Sequence, residues 1–172
     1  MNITTKKRNI MARLNQQRGF TILELMITVT VAGILSMMAF PSFVTMTKNN
    51  RLTTQANDFI LALNITRSEA VKRGIPTTIT YSTGNWANGW TIATTDATPV
   101  ILRIGDALQD SMILTNDNGN TILTYSSSGT AAGNSNAAPG NFELCDDRTG
   151  EIGRQISIST TGRVSVADLT CS

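Results

Sequence analysis

Two periodicities divide this chain. From Phe20 onward apolar side chains follow one another almost without interruption, and residues 25–47 hold 23 positions with no charge. At about 1.5 Å of rise per residue, a helix of that length crosses a hydrocarbon core of about 30 Å. Beyond it, Leu52, Ala56, Phe59, Ile60, Leu63 and Ala70 recur mostly three or four residues apart, the spacing of an amphipathic helix that lays one stripe on a sheet. Glu69 and Arg73 form an i,i+4 pair on the wetter side, and Gly74 with Pro76 supplies the stop. Pro41 lies inside the apolar part. It removes a backbone donor and crowds the preceding turn, so a kink or local melting over residues 39–41 is expected.

After Gly74 the pattern changes to short alternating runs rich in threonine, isoleucine and valine. Residues 77–81, 90–94, 100–104, 112–114, 122–125, 142–145, 155–159 and 163–166 read as strands, separated by Gly, Asn, Asp and Ser clusters. A long helix followed by strands is an α+β pattern, the helix packed on antiparallel sheet. Residues 126–140 are poor in bulky side chains and read as a mobile loop. Asn116-Asp117-Asn118-Gly119-Asn120 has part of a calcium-loop spacing but no acid at the loop's end, so a hairpin turn is the better reading.

Charge sharpens the N-terminal picture. Lys6, Lys7, Arg8, Arg13 and Arg18 precede Gly19 with no acid among them, an excess of positive charge that holds a leader on the cytoplasmic side while the chain crosses outward. An ordinary secretory signal is cut beyond its apolar core. Here the natural cut, between Gly19 and Phe20, comes before it, and the mature chain keeps its anchor. Glu24 is the anomaly. A carboxylate at membrane depth costs at least about 2.5 to 3.5 kcal/mol on insertion scales, so it calls for a cationic partner. A new amine on Phe20, of this chain or of another copy, is one; a plain signal anchor with Glu24 hydrated near the interface is the alternative.

The whole chain has 14 basic and 12 acidic residues, but loss of the five leader cations leaves nine against twelve. Past Gly74 only Arg103, Arg148, Arg154 and Arg163 face nine acids, poor footing for generic nucleic-acid binding. Lys48, Arg51, Arg67, Lys72 and Arg73 are read as a solvated helix face, with Lys48 and Arg51 able to touch lipid headgroups or acidic neighbours. Arg67 falls on the apolar stripe and needs a partner if buried. Cys145 and Cys171 lie outside the membrane run. In an exported chain with no histidine and no Cys-x-x-Cys spacing, the pair favours a disulfide over a metal or redox centre. The lack of histidine also removes the usual general base and metal ligand, and the adjacent Asp146 and Asp147 would point to opposite sides of an extended segment. No enzyme motif, metal site or cofactor is expected.

The run KKRNIMARLNQQRGFTILELMITVTVAGILSMMAFPSF resembles the class III signal of type IV pilins and type II secretion pseudopilins, with Gly19, Phe20, Thr21, Leu23, Glu24 and Leu25 matching position by position. The resemblance implies cleavage after Gly19 by a prepilin peptidase, N-methylation of Phe20, and a Glu24 carboxylate that neutralises the Phe20 amine of an adjacent subunit. In pilins a proline at the place of Pro41 accompanies a segment that loosens in the filament. LNITRSEAVKRGIPTTITYSTGNWANGW and, later, RQISISTTGRVSV are similar to the FimT/FimU and GspH group of minor pilins and pseudopilins. In that group residues 67–70 end the long helix, and Trp86 with Gly89-Trp90 belongs to the sheet.

This resemblance implies a pilin fold in four parts. They are a cleaved leader at 1–19, a transmembrane and assembly helix at 20–47, an amphipathic helix at 48–74, and a β-rich periplasmic or extracellular domain at 75–172. The implied function is that of a minor pilin acting in pilus initiation or a tip complex, anchored in the inner membrane before joining the pilus, with other pilins and the prepilin peptidase as partners. A GspH-like pseudopilin of type II secretion is the alternative. Some FimT-type members bind DNA through a Gly-Arg-x-Arg motif; this chain has Gly162-Arg163-Val164-Ser165, leaving Arg163, and Arg154 if the fold brings it near, as candidate DNA contacts. The plain reading of Gly162-Arg163 is a tight turn between two strands.

Overall fold

The computed structural model describes residues 19–109 and 111–171. The chain divides into two compact units, Met1–Phe43 and Val44–Ser172. One α-helix, α1 (Ile22–Arg73), contributes to both.

Thr21 starts α1 as an N-cap: its Oγ1 accepts the Glu24 amide at 3.1 Å, satisfying one of the first-turn donors that a helix leaves open. In the described part of the first unit every side chain is exposed. The hydroxyls there bond back into their own helix, Thr28 to the Leu25 carbonyl at 2.8 Å, Thr30 to Met26 at 2.8 Å and Ser36 to Ala32 at 2.7 Å. A polar group tied up this way can enter hydrocarbon at little cost. Helical structure continues through Pro41. A proline removes one ladder bond, and the turns on either side keep theirs.

In the second unit α1 buries Leu52, Ala56, Phe59, Ala62, Leu63, Thr66 and Ala70. Nine strands follow: β1 (Thr77–Thr83), β2 (Asn85–Thr94), β3 (Ile101–Gly105), β4 (Ile113–Asn116), β5 (Ile122–Tyr125), β6 (Ala131–Ala132), β7 (Asn141–Cys145), β8 (Ile152–Ile158) and β9 (Val164–Thr170). They form two antiparallel sheets, ordered β3-β2-β1-β5-β6 and β4-β7-β8-β9. The core lies where α1 meets both. Phe59 packs edge-on against Trp86 and Trp90 of the first sheet, with ring centres 5.8 and 5.1 Å away, and against Phe142 of the second at 4.8 Å. Aromatic rings set this way add to their area burial the attraction of a positive edge to a negative face.

The segment after β4 is not a hairpin turn, because β4 and β5 belong to different sheets. It is a sheet-switching turn closed by Asn116, whose Oδ1 accepts the amides of Asn118 at 3.1 Å and Asn120 at 3.0 Å. Residues 126–140 are likewise more than a loop. They contain β6 and a 3-10 turn, Asn134–Asn136. Asparagines pin the segment in place of bulky side chains: Asn120 donates to the Ala138 and Pro139 carbonyls, and Asn134 Oδ1 accepts the Thr121 and Ile122 amides.

Candidate functional site

The N-terminal segment carries the predicted processing and assembly residues. Gly19, Phe20 and Thr21 precede the first helical turn without regular structure. Phe20 is 80 % exposed, and an ideal Cβ built on Gly19 meets nothing within 4 Å. The Gly19–Phe20 bond thus lies in an exposed stretch ahead of the helix. Glu24 sits in the first turn of α1, where the open amides of the helix favour negative charge. Around it Ile22, Leu23, Leu25, Met26 and Ile27 are exposed, and so are large apolar side chains as far as Met46. By length and composition α1 qualifies as a membrane span, with a mean hydropathy of 2.0 over its most apolar window.

In the second unit the charges are organised around the disulfide. Cys145 and Cys171 are bonded, with Cα atoms 5.8 Å apart, joining the end of β7 to the residue after β9. Gly153 lies against this bridge: a Cβ there would stand 2.5 Å from the Cys171 sulfur. Just beyond Cys145, buried Asp146 accepts Arg148 at 2.6 Å, and the hydrogen-bonded guanidinium holds the Asp146 carboxyl below the usual carboxylate range. Arg148 also donates to Asn49 Oδ1 at 2.7 Å, and Asp147 pairs with Lys48 at 2.7 Å. Asp146 and Asp147 thus serve two separate cations, and Lys48, read from sequence as a solvated or lipid-facing charge, ties α1 to the β7–β8 connection instead.

Arg67 finds partners that the sequence did not name. Its Nε donates to the Gly129 carbonyl and its Nη2 to the Thr161 carbonyl, each at 3.1 Å. Nearby Tyr125 is pushed up to about 12 by burial, against the opposing charge of Arg67. Glu69 accepts Arg73 at 2.6 Å, as the i,i+4 spacing predicts, and that hydrogen bond lowers the Glu69 carboxyl.

The candidate DNA contacts do not converge. Arg154, facing Asp168 across the β8–β9 ladder, is paired with it. Arg163 lies in the turn at the other end of that hairpin, past the Ile158–Val164 pair, so four strand residues, about 13 Å, separate the two ends. Gly162 has φ +78° and its amide donates to Ser159 O at 2.8 Å, the tight turn of the plainer reading. This geometry gives a DNA contact no support. Among the described residues no group of three or more His, Cys, Asp or Glu side chains is placed to hold a metal.

A long N-terminal helix that is apolar and exposed in one unit and packed on antiparallel sheets in the next defines a pilin-like protein. A family model described as Type II transport protein GspH matches residues 55–162, and a prokaryotic N-terminal methylation motif matches residues 14–40. The chain belongs to the GspH family, a family of structural minor pilins and pseudopilins. Its fold is similar to that of the Pseudomonas aeruginosa (strain PAO1) type IV minor pilin FimU in two crystal forms. One is 23 % identical with a TM-score of 0.59, the match covering 71 % of this chain and 92 % of that one. The other is 22 % identical with a TM-score of 0.55, covering 67 % and 91 %. Comparison with curated proteins gives no match.

Proposed function

We propose that this chain is a non-enzymatic minor pilin of a type IV pilus, built into the filament through the first half of α1 and acting in pilus initiation or a tip complex. The observation that carries this reading is the contrast between the two units. The second has a complete core, from Leu52 to Ile158, while the described part of the first exposes large apolar side chains from Phe20 to Phe43 around one carboxylate. Such a surface is stable only in lipid or against other apolar helices.

In this account a prepilin peptidase cuts between Gly19 and Phe20, and Phe20 is N-methylated. The chain waits in the inner membrane as a single-pass protein with its second unit on the periplasmic side. Assembly exchanges lipid for the helices of other pilins, and Glu24 meets the Phe20 amine of an adjacent subunit. Pro41 marks where α1 bends or opens in the filament. The matching family model, named for type II transport, favours a second reading as a pseudopilin. Deletion of the gene separates the two: loss of surface pili and twitching with secretion intact supports the pilus, and loss of exoproteins with pili intact supports the secretion system.

A further inference from the structure

We propose that Asn118 is a site of spontaneous deamidation, and that the acid it becomes loosens the turn joining the two sheets. The inference concerns the second unit alone and does not depend on the filament reading.

The chain has two Asn-Gly steps, Asn88-Gly89 and Asn118-Gly119. At such a step the glycine nitrogen can attack the side-chain carboxamide of the asparagine before it. A bond forms between that nitrogen and Cγ, and the carboxamide nitrogen leaves with the amide proton as ammonia. Water then opens the five-membered imide at either carbonyl. One opening gives aspartate; the other gives isoaspartate, whose main chain runs through the side-chain methylene. Glycine permits the attack because no Cβ shields its nitrogen or restricts its rotation.

The fold separates the two steps. Asn88-Gly89 lies within β2, where Gly89 is buried and a Cβ on it would stand 2.5 Å from the Gly105 oxygen of β3. The Asn88 carboxamide is spent on the Thr83 carbonyl. Closing a ring there would break into the sheet. Asn118 and Gly119 are both exposed in the turn after β4, and a Cβ on Gly119 would meet nothing within 4 Å. Two contacts hold the reacting groups: the Gly119 amide donates to the Asn116 carbonyl at 3.0 Å, and Asn118 Nδ2 reaches the Ala138 carbonyl at 3.4 Å. Hydrogen bonds in an exposed turn open far more often than those of a core strand.

The product does not suit its surroundings. Asp117 Oδ1 and Asn118 Nδ2 converge over Gly140, where a Cβ would stand 2.4 Å from the first and 2.9 Å from the second. Asp117 in turn accepts the Asn141 amide at 2.8 Å and the Asn141 carboxamide at 2.7 Å, where β7 begins. Deamidation replaces a donor by a carboxylate facing the Ala138 carbonyl and the Asp117 carboxylate, so attraction turns into repulsion.

The test holds the full chain, purified in detergent, in mildly alkaline buffer with and without urea, and follows both steps by digestion and fragment mass spectrometry. In the folded chain Asn118 is expected to convert to aspartate and isoaspartate several-fold faster than Asn88, and in urea the two rates converge. A folded chain that reacts no faster at Asn118 than at Asn88, or a preference for Asn118 that persists in urea, overturns the assignment. The consequence is read from thermal unfolding at neutral pH. Asn118→Asp, the product of one ring opening, should lower the midpoint by a few degrees, and Asn118→Ser, which removes the carboxamide without adding charge, should lower it less. A midpoint for Asn118→Asp at or above that of the parent or of Asn118→Ser overturns it.

Discussion

The Arg67 guanidinium donates through Nε to the carbonyl of Gly129, 62 residues further along the chain, at 3.1 Å. With its second bond to Thr161 it fastens the last turns of α1 to two loops at once. Gly162 completes the junction, since a Cβ on it would come within 2.0 Å of the Gly129 oxygen. One cation on the apolar stripe thus positions the turn that carries Arg163.

Arg67→Met keeps the apolar stem and removes both donors. A hydrogen bond from a charged group is worth about 1.5 to 3 kcal/mol, and part of that returns when water reaches the freed carbonyls, so a loss of about 2 kcal/mol is expected. Urea unfolding followed by tryptophan fluorescence checks it, because Trp86 and Trp90 pack on Phe59 in the same core. An unchanged midpoint would show that the junction contributes nothing to stability.

Cys145 and Cys171 close a loop of sequence separation 26. Cross-linking a loop of this size removes about 3.5 kcal/mol of unfolded-state entropy in the chain model. Reduction, or Cys171→Ser, should lower the unfolding midpoint by a corresponding amount, with Lys48 and Asn49 losing their order against the loop beyond Cys145. Calorimetry with and without reductant measures the shift.

Much of this arrangement is legible in the sequence, and the parts that are not have physical causes. The stripe from Leu52 to Ala70 follows from the 3.6 period, but Ala62 and Thr66 escape it, one by smallness and the other by polarity. Thr66 is buried because its hydroxyl donates to the Ala62 carbonyl at 2.7 Å. β2 starts at Asn85, five residues before the expected strand, because Asn85, Asn88 and Gly89 have turn chemistry that sheet pairing overrides. The switch between sheets after Asn116 has the same composition as a hairpin turn, so only long-range pairing separates them. Arg67 could be flagged from its place on the stripe, but its partners are backbone carbonyls from distant loops, which have no sequence signature.

Asp146 contributes to stability in acid. Its folded-state pKa lies below the ordinary value because Arg148 hydrogen-bonds its carboxylate. The stabilisation is therefore complete above the unfolded carboxyl's pKa and is lost as pH falls through the lower, folded value. Arg148→Met should raise the Asp146 pKa and move the onset of acid unfolding to higher pH. A titration of thermal midpoint against pH on both forms measures it, and superimposable curves would contradict the coupling.

The central claim is that one carboxylate near the start of an apolar helix docks the chain by meeting a cationic terminus. Replacing Glu24 by alanine in cells that otherwise assemble normally, and measuring the chain in sheared fibres relative to membranes by immunoblot, tests it most directly. The account predicts a Gly19-cleaved protein at wild-type level in the membrane and strongly depleted from fibres. Incorporation at the wild-type ratio would contradict it.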